Sequence, residues 1–426
     1  MRRSVLWGAG MLFLVLACVR LALPPNVAAT SSAKIIYSFA GGADGAFPES
    51  DLIMDSAGNL YGTTNGGGAG GCGTVFELTR AKDGWKHEVL YNFANSSNDG
   101  CGPTAGLIFD SAGNLYGTTG GGGVTNCYGS GCGTVFKLAP NSRGGWTESV
   151  LYSFTGTNGD SGNPNTDLVF DHQGSLYGTT SGGGGSYGYG CGAIFKLVPN
   201  PDGTWTEATI YVFACYPTDA SLPITPIVLD TDRNIFGATE YGGTEQCAEG
   251  AFRGCGAVYK LTPNSGGGWT ETLLYNFHRF QGTAKNPAGG FLFTADGRVL
   301  GTSVEGGDRY GAFFQLEQTK KGWEQTVLYR FYGSPDGAYP VGRLAMGLSG
   351  NLYGVTVEGG ANQSVGGGTV FELEHVSGHW KEHVLFSATN TAYNPQAGPT
   401  VDPQGHVYGT FAGGNKNFGA VYEIIP

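Results

Sequence analysis

Acidic and aromatic residues occur where three tandem repeats of this sequence differ from the earlier ones. After the second predicted strand, the first three repeats carry Asn65, Gly120 and Ser181, whereas the next three carry acids. The residues that differ are Glu240, Tyr241, Glu305 and Glu358. Asp308 and Tyr310 follow shortly after Glu305 in the fifth repeat. A small residue suffices for this turn in the first repeats, so folding alone does not require glutamate there. We therefore predict that these six residues form a ligand site on a loop-rich rim.

This predicted rim site suits two kinds of ligand. Its carboxylate oxygens could bind a cation such as Ca²⁺, and the face of Tyr241 or Tyr310 could stack against a polar sugar. Exposed glutamates often do no more than keep a surface soluble, so a rim without a ligand is the alternative. No other cofactor is evident, and the sequence leaves the identity of any metal unknown.

A second set of acids lies four residues before a proline that recurs in each repeat. The set consists of Asp44, Asp99, Asp160, Asp219 and Asp336. A turn aspartate commonly accepts hydrogen bonds from the backbone of its own turn, so we predict a structural role for this set. The evenly spaced His375, His379 and His383 straddle a predicted strand–turn–strand. That spacing does not bring side chains together as it would on a helix, so we predict solvated histidines rather than metal ligands.

The stretch Leu107–Thr119, LIFDSAGNLYGTT, is the unit from which the other features are spaced. Its short apolar run, its turn residues and its aromatic and β-branched residues predict a β-hairpin. Gly113 can take the positive φ of a tight turn. Seven versions of this unit occur, each after a motif related to L-Y-x-F. That motif begins near residues 36, 90, 151, 210, 274, 328 and 385, so the period is about 58 residues.

Four short predicted strands in each repeat, without helical periodicity, indicate an all-β fold. The strands are apolar on both faces, and radial stacking of four-stranded blades covers both faces. An open solenoid is the rival architecture. The chain ends after a third strand at Val421–Ile425, and an unattached fourth strand, Ile36–Phe39, follows its N-terminal segment. We therefore predict a seven-bladed β-propeller over residues 35–426, in which the N-terminal strand completes the last blade.

The repeated pattern resembles a known bacterial tandem repeat, called the Gloeo/Verruco or GloVer repeat. The pattern is DG-x-x-P…L-x-x-D-x-x-G-N-L-Y-G-T-T-x-x-G-G…G-T-V-F-x-L. Later repeats depart from it, for example where Arg233 replaces the hairpin glycine of the fourth repeat. The resemblance implies an exported, β-propeller-like protein and brings no catalytic residues. Parts of the pattern also resemble NHL and kelch repeats, which are propellers as well.

Eight cysteines follow Cys18, and all of them precede residue 256. Four stand just before a third strand, and the others lie in glycine-rich loops or after fourth strands, which would share one rim of a propeller. We predict the disulfides Cys72–Cys101, Cys127–Cys132, Cys191–Cys215 and Cys247–Cys255, although eight cysteines allow many other pairings. Zinc is the rival interpretation, but these spacings without nearby histidines fit a zinc site poorly.

Residues 1–29 look like a secretory signal, with cleavage expected between residues 29 and 33. Arg2 and Arg3 precede an apolar run from Val5 to Val19 that is short for a membrane span. A retained anchor and lipidation at Cys18 are the alternatives. No other segment is apolar enough to cross a membrane. Cleavage would remove Arg2, Arg3 and Arg20 and so change the net charge from −11 to −14, which argues against nucleic acid or an anionic membrane as the partner.

These features together predict an exported binding or scaffold module that is secreted, periplasmic or at the cell surface. Its ligand is expected on the rim, and both a carbohydrate and a cell-surface protein stay open as partners. The alternative is an extracellular carbohydrate-active enzyme, a hydrolase or lyase, whose rim carboxylates would perform acid–base catalysis. We favour the role without catalysis and assign no catalytic residue, because turn-type acids dominate and the sequence shows no tuned pair of carboxylates.

Overall fold

A computed structural model describes residues 32–94, 96, 98–124, 127, 130–157, 159–183, 190–215, 217–247, 254–361, 367–414 and 417–426. Their strands form seven antiparallel blades, each with four strands running from the centre outward, so the predicted seven-bladed β-propeller is confirmed. The predicted signal, residues 1–29, lies outside the described residues. We number each blade by the repeat that supplies its inner strand.

Each blade runs from an inner strand beside the central channel to an outer strand. The inner strands are Ile53–Met54, Ile108–Phe109, Val169–Phe170, Val228–Leu229, Leu292–Phe293, Gly337–Met346 and Thr400–Val401. The second strands are Leu60–Thr64, Leu115–Thr119, Leu176–Gly183, Ile235–Thr239, Val299–Ser303, Leu352–Gly359 and Val407–Phe411. The third strands are Gly71–Ala81, Thr134–Pro140, Ala193–Pro199, Ala257–Pro263, Ala312–Thr319, Thr369–Val376 and Ala420–Ile425. The outer strands of blades 1 to 6 are Gly84–Ala94, Trp146–Ser153, Trp205–Val212, Trp269–Asn276, Gly322–Arg330 and His379–Ser387.

Short two-stranded ladders lie at one end of the blades, which we call the rim. In each ladder the loop that enters a blade pairs with the segment after the second strand of that blade. The ladders are Gly100–Cys101 with Gly121–Gly122, Ala220–Ser221 with Tyr241–Gly242, Ala284–Lys285 with Glu305–Gly306, and Ala392–Tyr393 with Gly413–Gly414. In blade 3, Ser161–Pro164 pairs with the second strand, and a 3-10 turn, Gly42–Asp44, lies in the loop that enters blade 1.

The hairpin between the inner and second strands has the local structure that its sequence predicts. In blade 2, Oδ1 of Asp110 accepts hydrogen bonds from the N–H groups of Ala112 and Asn114, both at 2.9 Å. Gly113 has a φ of +81°, which glycine adopts without steric strain. Arg233 takes this place in blade 4 with a φ of +65°, so the turn keeps its shape even where the repeat loses its glycine.

The N-terminal strand, Ser32–Ser38, closes the ring as the outer strand of blade 7. It pairs antiparallel with the third strand of that blade, with Ala33 opposite Ile424 and Ile35 opposite Tyr422. Nζ of Lys34 lies 2.9 Å from Oε2 of Glu423 across the same pair. The predicted closure is therefore confirmed, and it pairs the third strand of blade 7 on both sides.

The hydrophobic core lies between neighbouring blades rather than within one of them. Among the described residues, seven buried clusters each combine residues of two adjoining blades. Between blades 1 and 2, for example, Phe93 meets Phe136 edge to face, with ring centroids 5.0 Å apart. Because apolar burial is shared between blades in this way, a single blade could not bury its own faces.

All four predicted disulfides are present: Cys72–Cys101, Cys127–Cys132, Cys191–Cys215 and Cys247–Cys255. Disulfides persist in oxidising surroundings, so four of them indicate an extracellular or periplasmic protein. Among the described residues, no helix is long and apolar enough to span a bilayer.

Candidate functional site

The five aspartates that lie four residues before a repeat proline hold the loops that enter their blades. Asp219 accepts hydrogen bonds from the N–H groups of Ala214 and Ala220, both at 2.7 Å, and from the hydroxyl of Tyr211 at 3.0 Å. Equivalent backbone bonds are accepted by Asp44, Asp99, Asp160 and Asp336. The structural role predicted for this set is confirmed.

Glu240, Tyr241 and Glu305 lie together where blades 4 and 5 adjoin. The carbonyl oxygen of Glu240 accepts a 3.1 Å hydrogen bond from Nδ2 of Asn286, in the loop that enters blade 5. Burial raises the pKa of Glu240, and Glu305 acts in the same direction, whereas the hydrogen bond with Tyr241 lowers it. Burial and the two glutamates raise the pKa of Tyr241 to about 12. Three of the six predicted rim residues thus interact directly.

Two of the predicted acids face cations that the sequence analysis left out. Glu305 lies opposite Lys285 in the rim ladder of blade 5, and its Oε2 is 2.7 Å from Nζ of that lysine. Oδ2 of Asp308 lies 3.9 Å from Nε of Arg330, on the outer strand of blade 5. These cations offset the repulsion expected between neighbouring acids, although such exposed pairs contribute little to stability.

Tyr310 and Glu358 line a separate cavity between blades 5 and 6. This cavity has a volume of about 390 Å³, and the other residues that line it are Gly333, Ser334, Ala338, Gly359 and Gly367. The ring of Tyr310 packs against Tyr339, with centroids 6.0 Å apart, and the guanidinium of Arg309 lies 5.3 Å from the Tyr310 centroid. The predicted site is therefore divided into three parts. These are this cavity, the group of Glu240, Tyr241 and Glu305, and the pair of Asp308 with Arg330.

Two further aromatic side chains lie on the loops that enter blades 5 and 6. Phe280 is 67% exposed and Tyr332 is 62% exposed. Arg330, the last residue of the outer strand of blade 5 before the second loop, donates a 3.3 Å hydrogen bond from Nη2 to the carbonyl of Gly282 in the first loop. We call Phe280, Tyr310, Arg330, Tyr332 and Glu358 the aromatic rim. The sequence analysis missed Tyr332, although it differs from the residue at this position in every other repeat. Those residues are Ala40, Ala94, Thr155, Ala214, His278 and Thr389.

The described residues contain no group of three or more His, Cys, Asp or Glu side chains arranged to hold a metal ion. The three evenly spaced histidines do not converge. Nε2 of His383 lies 3.1 Å from Oε2 of Glu374, while His375 packs against Trp380 at 5.0 Å. Their spacing therefore reflects a strand–turn–strand, as predicted.

A charged cluster crosses the central channel near the rim. Nε of Arg343, in blade 6, lies 2.6 Å from Oδ2 of Asp51, which precedes the inner strand of blade 1. Nη1 of Arg343 lies 3.4 Å from Oδ2 of Asp167, which precedes the inner strand of blade 3. The three residues are equivalent, since each follows its repeat proline by three positions. We call them the channel cluster.

The other blades leave room for the channel cluster. At the equivalent position they carry Gly106, Pro226, Gly290 and Gly398. A Cβ on Gly106 would lie 2.8 Å from Oδ1 of Asp167, and one on Gly290 would lie 2.7 Å from Cβ of Arg343. The N–H of Gly106 also donates a 2.6 Å hydrogen bond to Asp167. Side chains at these positions would displace the charged residues.

A polar cavity of about 250 Å³ lies on the rim side of the channel cluster. Besides the cluster it is lined by residues that directly follow the repeat prolines, among them Glu49, Asn165 and Gln396. A second cavity, of about 400 Å³, lies against the apolar inner strands and is also lined by Arg343. Burial raises the pKa of Asp51 to about 7. The charge of Arg343 lowers this pKa, and the charge of Asp167 raises it. Burial also raises the pKa of Glu49.

The sequence analysis missed the residues of the channel. The sequence did contain an indication of them, because the residue type at a fixed distance after the repeat proline differs from one repeat to another. At three positions after it, two repeats carry aspartate and one carries Arg343, whereas the others carry glycine or proline. Only the closed ring brings these positions together, because they are far apart along the chain.

Comparisons with known proteins identify the repeat and the fold. The sequence model of a family described as the Gloeobacter/Verrucomicrobia repeat matches residues 26–249 and 245–426. No curated protein matches the sequence.

Two solved structures are similar over most of this chain. A Bacteroides uniformis protein described as a candidate 6-phosphogluconolactonase has 13% sequence identity and a TM-score of 0.51, and the match covers 82% of this chain and 88% of that one. A polysaccharide lyase described as an ulvan lyase has 11% identity and a TM-score of 0.51, and the match covers 90% of this chain and 94% of that one. At such identities the similarity shows the fold alone.

Proposed function

We propose that this chain, which belongs to the Gloeobacter/Verrucomicrobia repeat family, is an exported binding module that holds a polysaccharide on its aromatic rim. One observation carries the proposal: Phe280 and Tyr332 are largely exposed on the loops that enter two neighbouring blades, and Tyr332 directly precedes Gly333 and Ser334, which line the same cavity as Tyr310. The four disulfides support a location outside the cytoplasm, where such a ligand would be met.

Aromatic rings exposed in this way suit the faces of sugar rings. The C–H groups on one face of a pyranose are apolar, so stacking on an aromatic face removes apolar surface from water on both sides. In a soluble protein, neighbouring exposed aromatics often mark a binding surface rather than a part of the core. The polar groups needed beside them are present, since Glu358 and Ser334 line the same cavity as Tyr310.

The cations near the aromatic rim favour a polysaccharide that includes acidic sugars. Arg279 and Arg309 are exposed, and neither forms an ion pair within the part of the chain that the structure describes. Guanidinium groups pair well with carboxylates and with sulfate-like groups. Glu358 in the cavity would instead accept hydrogen bonds from sugar hydroxyl groups.

An array of neutral and acidic polysaccharides, followed by calorimetry, tests this proposal. We expect the mature protein to bind at least one polysaccharide, and the Tyr310→Ala/Tyr332→Ala variant to bind it about tenfold more weakly or worse. Leu348→Ala is the matched control. Leu348 is 78% exposed and lies in the hairpin turn at the opposite end of blade 6, so this variant should bind like the parent. The proposal fails if no polysaccharide is bound or if the double variant binds as well as the parent.

A second candidate function, catalysis on a carbohydrate, is favoured by one observation in the channel. Asp51 and Asp167 line one polar cavity, and the pKa of Asp51 is raised to about 7. Two carboxyl groups in one cavity can act as acid and base. Release of new reducing ends or of unsaturated sugars from the bound polysaccharide, lost in Asp51→Asn, would support this candidate. An unchanged polysaccharide after prolonged incubation would exclude it for that substrate.

A further inference from the structure

The polar cavity at the rim side of the channel carries more negative than positive charge. Three carboxyl groups line it, those of Glu49, Asp51 and Asp167, and Arg343 is the cation among its described lining residues. The guanidinium of Arg343 faces two of these acids. Among the described residues, Glu49 has a neutral partner and no cation, since Nδ2 of Asn65 donates a 3.0 Å hydrogen bond to its Oε2. The ionised cavity therefore lacks counter-charge within the protein.

We propose that this cavity is a binding site for a small polar ligand that carries a protonated amino group, such as an amino sugar. The ammonium group would lie beside Glu49, where it would supply the missing positive charge and up to three hydrogen-bond donors. The site is separate from the aromatic rim, and its ligand need not be the polysaccharide bound there.

The remaining polar groups of the cavity also favour a ligand that donates hydrogen bonds. Oδ1 of Asn165 is buried and has no hydrogen-bond partner within the described structure. A buried acceptor without a partner is unfavourable, and a donor from a ligand would satisfy it. Gln396 and Thr104 line the same cavity, so a ligand with hydroxyl groups beside its amino group could use several contacts at once.

A metal ion fits this cavity less well than an amine. Arg343 lies between Asp51 and Asp167, so these carboxylates are directed at a guanidinium and cannot converge on one ion. The described residues also contain no group of three acidic, histidine or cysteine side chains with the arrangement that a metal requires. An ammonium group needs only one nearby carboxylate, and Glu49 can provide it.

Calorimetry with three hexoses tests the proposal. Glucosamine carries the protonated amine, N-acetylglucosamine carries the same ring with a neutral amide, and glucose carries hydroxyl groups alone. We expect the mature protein to bind glucosamine and to bind the two neutral sugars at least about tenfold more weakly, because a charge-assisted hydrogen bond would be lost. The proposal is overturned if glucosamine does not bind or if all three sugars bind equally.

Two matched variants place the amine in the cavity. Glu49→Gln keeps the shape and the contact with Asn65 but removes the charge, so glucosamine should bind on the order of tenfold more weakly. Glu324→Gln removes one charge from an exposed position of the outer strand of blade 5, outside both sites, and should leave glucosamine binding unchanged. Unchanged binding in Glu49→Gln would overturn the proposal, and so would an equal loss in Glu324→Gln. Melting temperatures of both variants near that of the parent confirm that each is folded.

Discussion

The carboxyl group of Glu271, on the outer strand of blade 4, faces that of Asp219, in the loop that enters the same blade. Asp219 already accepts two backbone hydrogen bonds, so the proton between the two carboxyl groups belongs with Glu271. Burial, followed by the charge of Asp219, raises the pKa of Glu271 to about 8. A neutral carboxylic acid can donate where a carboxylate cannot, so the pair is stable only when it holds this proton.

The same pairing recurs in other blades and changes in a correlated way. In blades 2, 3 and 6 a glutamate stands two residues after the tryptophan near the start of the outer strand and faces the loop aspartate. These pairs are Glu148 with Asp99, Glu207 with Asp160, and Glu382 with Asp336. In blade 1 the glutamate is replaced by His87, which lies 3.3 Å from Asp44. In blade 5, Thr283 replaces the aspartate and Gln325 replaces the glutamate. There Gln325 accepts a 2.9 Å hydrogen bond from the N–H of Ala284. The exchanges keep a polar side chain of the outer strand facing the loop in each of these blades.

The first prediction concerns stability and pH. Burial raises the pKa of Glu148 and Glu207 to about 7 and of Glu271 and Glu382 to about 8. These values exceed those of an unfolded chain, so the folded state binds more protons and stability falls as the pH rises from about 5 to about 8. At roughly 1 kcal/mol for each pair after solvent screening, the melting temperature should be about 3–6 °C lower at pH 8.5 than at pH 5.5.

Glutamine variants identify the source of this pH dependence. Glutamine is neutral and keeps a donor, so Glu271→Gln/Glu382→Gln should reduce the difference in melting temperature between pH 5.5 and 8.5. Glu324→Gln, at an exposed position of the outer strand of blade 5, should leave the difference unchanged. A pH dependence as large in the double variant as in the parent would refute this role of the acid pairs.

The second prediction concerns the channel cluster. Arg343→Met would leave Asp51 and Asp167 without their cation in the channel, so the free energy of unfolding in urea should fall by about 2–3 kcal/mol. Arg298→Met is the control, because its partner Asp296 is 57% exposed and a surface pair contributes less than about 1 kcal/mol. Equal losses in the two variants would mean that the channel cluster is not a stabilising link between blades.

The third prediction compares two disulfides. Cys72 and Cys101 are separated by 29 residues, whereas Cys127 and Cys132 are separated by 5. In the loop-entropy account, the longer loop gives about 3.6 kcal/mol and the shorter one about 2 kcal/mol. Cys72→Ala/Cys101→Ala should therefore lower the free energy of unfolding more than Cys127→Ala/Cys132→Ala. The opposite order would contradict this account, and thiol titration of the denatured protein without residues 1–29 should find no free cysteine.

The fourth prediction concerns ring closure. Removal of residues 32–39 would unpair the third strand of blade 7 and expose core residues such as Val421 and Ile424, which are fully buried. The free energy of unfolding should fall by about 5 kcal/mol or more relative to a chain that begins at Ser32. An unchanged melting temperature would show that the N-terminal strand is dispensable.

Features set by local spacing could be predicted from the sequence. The hairpin turn at Asp110, the pairing of residues 36–39 with the last strand and the four disulfides all depend on short motifs at fixed positions within a repeat. Once the repeats are stacked into a ring, each of these positions has only one possible neighbour, which is why spacing was sufficient.

Features set by the whole ring could not be predicted in this way. Arg343 meets Asp51 and Asp167 only because blades 6, 1 and 3 face one channel. The rim acids were predicted as one group, but Lys285 and Arg330 face two of them and the cavity beside Tyr310 holds a third. Side-chain direction and the charge of the adjoining blade decide such contacts, and neither is encoded in the spacing of one repeat.

Hydrogen exchange of the mature protein, measured with and without the polysaccharide that binds best, tests the site on the aromatic rim most directly. Bound polysaccharide should slow exchange in residues 305–310 and 331–339, which carry Tyr310 and Tyr332. The hairpin turn at residues 347–350, at the opposite end of blade 6, serves as the internal reference and should exchange at the same rate in both samples. Slower exchange at that turn, or no change at the aromatic rim, would contradict the proposed site.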